Sequence, residues 1–585
     1  MSSGSPESTG PSRRNRPGVG RRGGAVYSKG RQLDEASVLA VREVLGSGVR
    51  RRDLLIEYLH LLQDRFGHLS AGHLQALAAE LGLAMAEVFE VASFYAHFDI
   101  VLDGEAAPPG LTVRVCDSLT CEMFGSAALL RDLPAALEGA LGGPEVRVVR
   151  APCMGRCAGA PAVALGHRAI ERASVGSVTA AVSAVLSAVL SGGTSGAAGP
   201  ELPGYLSYED YVSGGGYGLL RACYAGGRTA EDLIVALEGS GLRGLGGAGF
   251  PAGRKWRLVR QQPGPRVLAI NGDEGEPGTF KDRHYLELDQ HRFLEGMLIA
   301  GWATGAERAY VYIRDEYPAV LEILRRELGR LREADLLGGL AVELRRGAGA
   351  YICGEESAMM ESIEGRRGLP RHKPPFPTEV GLFGLPTLAH NVETLYWVRE
   401  IVEKGADWFA GQGRRGRQGL RSFSVSGRVR EPGVKLAPAG ITIAELIEEY
   451  CGGMAEGHRF KGYLPGGASG GILPASLSDL PLDFDTLQEH GCFIGSAAVI
   501  VLSDRDDLKA VALNLMRFFE DESCGQCTPC RNGTEKAVRL MAAERWDREL
   551  LEALSEVMME ASICGLGQAA PNPLLSVLRH FPEEL

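Results

Sequence analysis

The sequence predicts a multidomain α/β protein in two halves. At 585 residues the chain is too long for a single hydrophobic core, and three to five domains of about 150 residues are expected. Apolar residues make up 45% of the chain and charged residues 23%, which is typical of globular proteins and excludes wholesale disorder. Gly, Ser and Ala dominate residues 191–204, so we expect a flexible linker over 191–215.

The first half is predicted to be helical and then mixed. Over residues 34–107 apolar side chains recur at helical spacings of three and four, as in Leu55, Tyr58 and Leu62. Residues 108–190 contain an alternating strand at 111–116 and then a helix, two short strands and a helix at 175–190. This order predicts a small α/β domain.

The second half is predicted to contain three units. Residues 216–421 combine Gly-rich turns with helices and short strands such as 267–270. Residues 422–502 consist of short β-rich runs around one helix, which indicates a compact insert. Residues 503–585 are mostly helical.

Charge and cysteine content narrow the class of protein. The net charge of −11 argues against a nucleic-acid partner, which would need a basic surface. Residues 1–33 read as a disordered basic tail without the apolar core of a secretory signal, and the apolar run at 178–190 is too short to span a bilayer. Twelve cysteines are too few for a disulfide-stapled fold of this length. We therefore expect a cytoplasmic protein without membrane insertion.

Four cysteines of the second half have the spacing of metal ligands. Cys524, Cys527 and Cys530 follow one another at steps of three, which brings their sulfurs around one centre. Bacterial ferredoxins place a fourth cysteine where this chain has Thr534, so Cys564, in a similar Gly-containing loop, is the predicted fourth ligand. The triplet favours an iron–sulfur cluster, and zinc is the alternative because thiolates bind both.

A second set of four cysteines lies in the first half. Two pairs, Cys116 with Cys121 and Cys153 with Cys157, each follow a predicted strand. Two pairs at neighbouring strand ends can share one centre, and these wider steps fit a [2Fe–2S] cluster better than zinc. The remaining cysteines lack partners at ligand spacing and are predicted to be buried: Cys223, Cys353, Cys451 and Cys492.

A glycine-rich segment, GLRGLGGAGFPAGRKW, occupies residues 241–256. It contains the letters of a dinucleotide-binding fingerprint, but a helix precedes it instead of the required strand, so a Rossmann unit is not predicted. Bare backbone at Gly244, Gly246, Gly247 and Gly249 can approach a flat or phosphorylated ligand, and Lys255 adds a cation. A purely structural turn is the alternative.

Polar groups crowd the end of the strand at 267–270. Asn271, Asp273, Glu274 and Glu276 follow it and could bind a flavin edge or ribose hydroxyls, with a solvated turn as the alternative.

A second Gly-rich loop precedes a predicted helix. It carries Tyr351, Glu355 and Glu356, and the later segment RHKPPFP adds Lys373 and Phe376. A helix start after such a loop can bind phosphate. Two Gly-rich anion sites beside two cysteine centres indicate a protein that couples a nucleotide cofactor to one-electron carriers.

Together these motifs identify a family. GLRGLGGAGFPAGRKW, NGDEGEPGTFKDR, GAYICGEES, RHKPPFP, HNVET and SCGQCTPCRNG with SICGLG resemble the NADH-oxidising flavoprotein of respiratory complex I. Its relatives serve NAD-reducing hydrogenases and NAD-dependent formate dehydrogenases. The first cysteine set resembles the thioredoxin-like [2Fe–2S] subunit, here fused to the flavoprotein. The fused arrangement is most similar to the β subunit of tungsten- or molybdenum-dependent formate dehydrogenases.

The resemblance implies a fold for each segment. It assigns a thioredoxin-like [2Fe–2S] ferredoxin domain to 108–190 and an FMN- and NADH-binding α/β domain to 216–421. It assigns a β-grasp-like insert to 422–502 and a helical [4Fe–4S] domain to 503–585.

It also implies site residues. Besides the eight cysteine ligands, the FMN site would comprise Gly244, Gly246, Gly247, Gly249, Lys255, Asn271, Asp273, Glu274, Gly354, Glu355, Asn391 and Thr394. The NAD(H) site would comprise Phe250, Lys255, Glu276, Tyr351, Glu356, Lys373 and Phe376.

The implied activity is electron exchange with a partner subunit. Hydride would pass between NAD(H) and FMN without an acid–base residue, and single electrons would pass through the [4Fe–4S] and [2Fe–2S] clusters. The expected partner is a large pterin-containing formate dehydrogenase subunit with further clusters, since this chain has no pterin or formate site. The alternatives are a hydrogenase or complex I partner and, from another class, a zinc-stapled nucleotide-binding scaffold.

Overall fold

The computed structural model describes residues 31–141, 146–190 and 199–585. Most of the predicted basic tail and the first part of the predicted linker lie outside the described residues. The predicted linker is too long at its C-terminal end. A helix spans Tyr208–Ser213, and its Tyr211 is buried against Tyr217. The sequence hides this helix because it is short and follows a glycine-rich stretch.

An N-terminal helical unit opens the described chain, with a two-stranded parallel ladder beside its helices. Asp34 and Ser70 cap two of the helices by accepting from backbone N–H groups, as expected of N-cap residues. Left-handed Gly67 and Gly82 end two of them. Its elements are α1 (Glu35–Leu45), α2 (Leu55–Phe66), β1 (Leu69–Ser70), α3 (Ala71–Leu81), α4 (Met85–Phe94) and β2 (Ile100–Val101).

The small α/β unit follows as predicted. Its elements are β3 (Leu111–Cys116), α5 (Leu119–Met123), α6 (Ser126–Leu141), β4 (Val146–Ala151), β5 (Val163–Leu165), β6 (Arg168–Ile170) and α7 (Val175–Leu190). The sheet order is β4-β3-β5-β6, and β3 pairs parallel with β4 and antiparallel with β5. Strand β6 is not predicted from the sequence, because its three residues, two exposed and one half-buried, give no periodic pattern.

The central unit is built on a parallel sheet of order β10-β7-β8-β9. Its strands are β7 (Arg266–Gly272), β8 (Ala306–Ile313), β9 (Ala341–Arg346) and β10 (Thr387–Asn391). Its helices are α8 (Tyr208–Ser213), α9 (Gly218–Tyr224), α10 (Ala230–Gly239), α11 (Ala252–Gln261), α12 (Lys281–Leu288), α13 (Gln290–Thr304), α14 (Pro318–Glu333), α15 (Glu356–Ile363), α16 (Val392–Tyr396), α17 (Val398–Lys404) and α18 (Ala406–Ala410). As predicted, a helix (α10) and not a strand precedes the glycine-rich segment.

The insert contains a five-stranded mixed sheet of order β12-β11-β15-β13-β14. Its elements are β11 (Leu420–Gly427), β12 (Gly433–Pro438), α19 (Ile443–Glu445), β13 (Phe460–Leu464), β14 (Leu473–Pro474) and β15 (Ala498–Ser503). The predicted helix over 443–450 is split, because α19 continues as one wider turn at Leu446–Tyr450.

Five helices form the C-terminal helical unit. They are α20 (Leu508–Asp521), α21 (Thr528–Met541), α22 (Arg548–Ala561), α23 (Gly565–Ala569) and α24 (Asn572–His580). Within the described ranges of the chain, no helix has the length and apolar character to cross a membrane.

Candidate redox sites

A crevice is expected where the order of the central sheet reverses. The chain runs from β7 to β8 and β9 on one side and then returns to place β10 on the other side of β7. Ligands of open α/β sheets bind at the carboxyl ends of strands at such a point. Asn271 and Asn391, both predicted site residues, are register partners at these two strand ends.

The glycine-rich segment packs against this strand end. The backbone N–H of Leu245 donates to the Thr394 hydroxyl at 2.9 Å. A Cβ on Gly246 would lie 2.9 Å from the Asn391 Cβ, closer than real Cβ atoms normally approach. Larger residues at position 246 would therefore push the segment away from β10.

Two further glycines of the segment have backbone conformations that favour glycine. Gly247 has φ +130° and Gly249 has φ +65°. A Cβ on Gly249 would also meet the Phe484 ring at 2.6 Å. Gly244 is different, because its φ is ordinary and a Cβ there would meet the Phe250 carbonyl oxygen only at 3.5 Å. The segment thus provides the side-chain-free backbone that close approach of a flat ligand requires.

The second Gly-rich loop joins the same crevice. The Asn271 side-chain amide donates to the Gly354 carbonyl at 2.8 Å, and the Asp273 N–H donates to the Asn271 side chain at 3.1 Å. A Cβ on Gly354 would lie 3.4 Å from an Asp273 carboxylate oxygen. Burial raises the pKa of Asp273 well above its usual value.

Two lysines and two glutamates lie along one side of the crevice. Lys255 Nζ lies 3.3 Å from Glu356 Oε2 and 3.0 Å from the Ala389 carbonyl. Lys373 Nζ lies 3.0 Å from Glu355 Oε1 and 2.9 Å from Glu356 Oε1. Burial opposes the ionisation of Glu356, but the charges of both lysines lower its pKa. These partly exposed ammonium groups could donate hydrogen bonds to phosphate oxygens.

The predicted NAD(H) residues form two groups. Glu276 is held by protein donors, since it accepts from the Tyr351 hydroxyl and, at 2.8 and 2.7 Å, from the N–H and hydroxyl of Ser469. Burial raises its pKa. Phe250 and Phe376 instead expose 39% and 53% of their surface, which is unusual for phenylalanine and suits stacking.

Glu274 has a different environment from its predicted neighbours. Its carboxylate accepts from the N–H groups of Asp282 and Arg283 at 2.6 and 3.0 Å and from the Tyr317 hydroxyl at 2.9 Å. Burial raises its pKa to about 7. Both carboxylate oxygens of Glu274 thus accept hydrogen bonds from α12 or Tyr317. Contact between Glu274 and FMN stays a prediction.

A buried charge cluster that the sequence prediction misses supports the strand end. Lys281, 1% exposed, lies 2.9 Å from Asp282, 3.0 Å from Glu393 and 3.2 Å from Asn391 Oδ1. These charges raise the lysine pKa although burial opposes them. The sequence clue to this cluster is the dipeptide Lys281–Asp282 within NGDEGEPGTFKDR, because a buried lysine needs an acidic partner.

The C-terminal cysteines line one cavity. Cys524, Cys527, Cys530 and Cys564 surround it together with Ile352. Cys527 and Cys564 precede the first turns of α21 and α23. Burial raises the pKa of Cys530 and Cys564 to about 11. Four convergent thiols are the donor set of a [4Fe–4S] cluster, so the residues fit that group.

A short turn connects this cavity with the crevice. It spans Tyr351–Gly354, so that Ile352 lines the cavity and Gly354 accepts from Asn271. The Tyr351 N–H donates to Glu522 at 2.9 Å, and burial raises the pKa of Glu522 to about 7.

The cysteines of the small α/β unit are enclosed. Cys116, Cys121, Cys153 and Cys157 are each at most 3% exposed, and Cys153 Sγ lies 3.4 Å from Cys157 Sγ. Hydrogen bonds from the Cys116 and Cys157 thiols lower the pKa of Cys153 well below its usual value. Four mutually close thiols at two loop ends fit a [2Fe–2S] cluster. The four other cysteines are buried, as predicted.

Arginines of the central unit hold this cysteine site in place. The buried guanidinium of Arg314 donates to the Cys153 carbonyl at 2.6 Å and to the Glu274 carbonyl at 2.7 Å. Arg283 donates to the Gly155 carbonyl at 3.1 Å.

Four family profiles match consecutive parts of the chain. The thioredoxin-like [2Fe-2S] ferredoxin matches residues 41–186, and the Nuo51 FMN-binding domain matches 237–400. The SLBB domain matches 422–473, and the NADH-ubiquinone oxidoreductase-F iron-sulfur binding region matches 510–585.

Relatives agree with the profiles. An NADH-quinone oxidoreductase subunit of Rhizobium meliloti (strain 1021) is 42% identical over 64% of this chain and 92% of its own length. The mitochondrial NADH dehydrogenase [ubiquinone] flavoprotein 1 of Dictyostelium discoideum is 42% identical over 60% of this chain and 78% of its length. A chain of NAD+-reducing [NiFe]-hydrogenase in the H2-reduced state has a TM-score of 0.79 and 31% identity, covering 92% of this chain and 93% of that one.

The profiles confirm the predicted cofactors FMN, NAD(H), [2Fe–2S] and [4Fe–4S], and the predicted order of domains. On this evidence the chain belongs to the family of NADH-binding flavoproteins of NADH-quinone oxidoreductase, with the thioredoxin-like [2Fe–2S] domain in the same polypeptide.

Proposed function

We propose that this chain is the diaphorase subunit of an NAD-reducing complex and exchanges electrons between NAD(H) and a partner's catalytic centre. The observation that carries the proposal is that the nucleotide crevice has contacts with both four-cysteine sites, through the turn at Tyr351–Gly354 and through Arg314. Bound FMN would supply the exchange between the two-electron hydride of NADH and single electrons, which nicotinamide cannot provide alone.

The residues of the crevice have separate tasks in this proposal. Bare backbone at Gly246, Gly247 and Gly249 would let a flavin ring approach the strand ends, and the polar groups around them would bind its edge and phosphate. The proposed binding set is the predicted one: Gly244, Gly246, Gly247, Gly249, Lys255, Asn271, Asp273, Glu274, Gly354, Glu355, Asn391 and Thr394.

NAD(H) would be held by stacking and by charge. Phe250 and Phe376 supply exposed aromatic faces, while Lys255 and Lys373 supply cations for the diphosphate. A carboxylate at Glu276 would bind a ribose hydroxyl and repel a 2′-phosphate, which favours NAD over NADP.

The turn at Tyr351–Gly354 supports onward electron transfer. It contributes Gly354 to the crevice and Ile352 to the cavity of the C-terminal cysteines. The turn thus belongs to the central unit and contacts the C-terminal helical unit, which places the two sites next to each other.

Chain organisation favours a hydrogenase-type partner over the formate dehydrogenase expected from the sequence. The hydrogenase chain aligns over 92% of this chain, whereas the Rhizobium and Dictyostelium relatives align over 64% and 60% of it. The fused [2Fe–2S] domain is thus shared with the hydrogenase chain. A formate dehydrogenase subunit with pterin-bound tungsten or molybdenum is the second candidate, and its support is the sequence resemblance alone. A cytoplasmic location also stays a prediction.

The first experiment tests the redox assignment. The anaerobically purified chain should contain about six iron atoms and one FMN, as one [2Fe–2S] and one [4Fe–4S] cluster require. Its absorbance should bleach with NADH, and it should reduce artificial dyes but not oxidise formate. Zinc in place of iron, without flavin, would instead support the alternative of a zinc-stapled nucleotide-binding scaffold.

The second experiment tests Glu276. Replacing it with alanine should raise the KM for NADH several-fold with little change in kcat, because the residue binds nucleotide and takes no part in hydride transfer. Exposed Glu448 of the insert is the matched control, and Glu448→Ala should leave KM unchanged. An unchanged KM in Glu276→Ala would remove this residue from the NAD(H) site.

The partner is tested by capture of the full chain from its native cells. Nickel in the captured complex, with hydrogen-dependent NAD+ reduction, would support the hydrogenase-type partner. Tungsten or molybdenum, with formate-dependent reduction, would support the second candidate instead.

A further inference from the structure

A cluster of His60, His97 and Asp315 lies outside the crevice and both cysteine sites. It brings together three parts of the fold, namely helix α2, the turn after α4 and the loop after β8. One potential ligand atom from each residue lies within 4.8 Å of the other two. His60 is 2% exposed, and the side chains of His97 and Asp315 are each 15% exposed.

Each histidine has one ring nitrogen engaged by an acceptor. His60 Nε2 lies 2.9 Å from the Gly347 carbonyl oxygen, so it carries the proton and donates. His97 Nδ1 lies 2.8 Å from an Asp315 carboxylate oxygen. A backbone carbonyl and a carboxylate are the partners that fix the tautomer of metal-binding histidines and increase their basicity.

The other two ring nitrogens are buried without a partner. Neither His60 Nδ1 nor His97 Nε2 has a hydrogen-bond partner among the residues that the structure describes. Burial lowers the pKa of His60 well below its usual value, so its ring is neutral and its Nδ1 carries a lone pair. Leaving such a buried group unsatisfied destabilises the folded chain.

The surroundings tolerate a cation. Arg346 Nε lies 2.6 Å from Asp315, but the same guanidinium also binds Asp64 at 2.6 Å, so one arginine faces two carboxylates. His60 and Arg346 also border a surface cavity between α2 and α14, whose other charged lining residues are Glu57, Arg325 and Arg332. Gly349, with φ +72°, lies against His97 and adds no side chain there.

We propose that His60 and His97 bind a divalent ion of the zinc type through their imidazole nitrogens, with the Asp315 carboxylate balancing its charge. Neutral imidazoles are preferred zinc ligands, and water from the cavity can complete the coordination. The ion would join α2 to the turn after α4, and Asp315 of the central unit would support it through His97. The proposal is independent of the partner and of the redox function.

The test is a zinc titration of the holoenzyme against a chromophoric chelator, with iron and FMN measured before and after. We expect one zinc per chain with no loss of iron. His60→Gln and His97→Gln should each weaken zinc binding at least tenfold, and Asp315→Asn should do so through His97, as removal of outer-shell partners typically does.

His73→Gln is the matched control. His73 belongs to the same helical unit and stacks on Phe66 away from Asp315, so this variant should bind zinc like the wild type. Zinc uptake that is equal in His60→Gln and wild type, uptake matched by loss of iron, or no uptake by the wild type would each overturn the proposal.

A second measurement uses the wild-type protein and so tests the proposal even where the variants fail to fold. Hydrogen exchange of the wild-type holoenzyme should slow on adding zinc in α2 and around His97, and chelation should reverse the effect. Exchange that does not respond to zinc in these segments would overturn the proposal without any variant.

Discussion

The two cysteine sites present the same donor atoms in opposite settings. In the small α/β unit the four thiols are at most 3% exposed, and arginines of the central unit donate to the backbone around Cys153. In the C-terminal helical unit Cys524, Cys527 and Cys564 are only half-buried, and the last two lie at the starts of helices.

This difference in burial goes with a difference in how the crevice contacts its two neighbouring cysteine sites. The C-terminal cysteines share a turn of backbone with the crevice through Ile352 and Gly354. The enclosed cysteines contact the segment between β7 and α12 by packing instead, since Cys153 and Cys157 cluster with Phe280. We infer that both sites depend on contacts with the central unit, through the turn at Tyr351–Gly354 for the half-buried site and through arginine donors for the enclosed one.

The largest effect should come from removing one ligand of each site. Cys564→Ser should lower the iron content from about six to about two atoms, and Cys153→Ser should lower it to about four, because each cluster needs four thiolates. FMN should stay bound in both. Iron analysis and electron paramagnetic resonance (EPR) of the reduced protein would measure the loss.

Cys492→Ser is the control for these variants, because Cys492 is buried beside Ser576 and far in sequence from either set. It should keep all iron. Full iron content in Cys564→Ser would mean that the fourth ligand of the C-terminal cluster lies elsewhere.

The next prediction concerns glycine substitutions in the crevice, which should change the FMN content and leave the iron content unchanged. Gly249→Ala should reduce FMN content about tenfold, because its φ of +65° costs an alanine roughly 1–2 kcal/mol and its Cβ would strike Phe484. Gly244→Ala should retain FMN, since a Cβ there meets its nearest neighbour at 3.5 Å. Flavin fluorescence after denaturation gives the content.

Iron should be unchanged in both glycine variants. Equal FMN content in the two would show that close backbone approach at Gly249 is not needed for flavin binding.

Much of this arrangement is predictable from the sequence. Both ligand sets follow from spacing, because cysteines at steps of three to five in glycine-containing loops converge whatever the surrounding fold. The strand end at Asn271 and the helix before the glycine-rich segment follow from local periodicity. Family resemblance then supplies the order of domains, which periodicity alone does not give.

The rest depends on contacts distant in sequence. Glu274 lies in the same acidic run as Asp273, but the structure engages its oxygens with α12 and Tyr317. The pairing of Arg314 with Cys153 joins residues with no local signal. The cluster of His60 and Asp315 likewise forms only when the N-terminal helical unit packs on the central sheet.

A smaller effect tests the enclosure of the first cysteine site. Arg314→Gln should lower the reduction potential of the [2Fe–2S] cluster, because a buried cation near Cys153 favours the more negative reduced state. The [4Fe–4S] potential should not move. EPR-monitored redox titration resolves the two, and exposed Arg325→Gln on α14 is the control. A shift of both potentials together would contradict the separate enclosure of the two sites.

The smallest effect is a pH dependence at the same junction. Burial raises the pKa of Glu274 from 4.5 to about 7, so between these values the folded chain binds a proton that the unfolded chain has lost. The resulting stability is fully present below pH 4.5 and disappears as the pH rises through 7. The melting temperature of the holoenzyme should therefore fall between pH 4.5 and about 7, by a few degrees for one group. Glu274→Gln should flatten that fall. Glu556→Gln, at an exposed position on α22, is the control and should leave the fall unchanged. Parallel curves for all three proteins would mean that Glu274 is ionised throughout this pH range and that the enclosure of the first cysteine site is insensitive to pH.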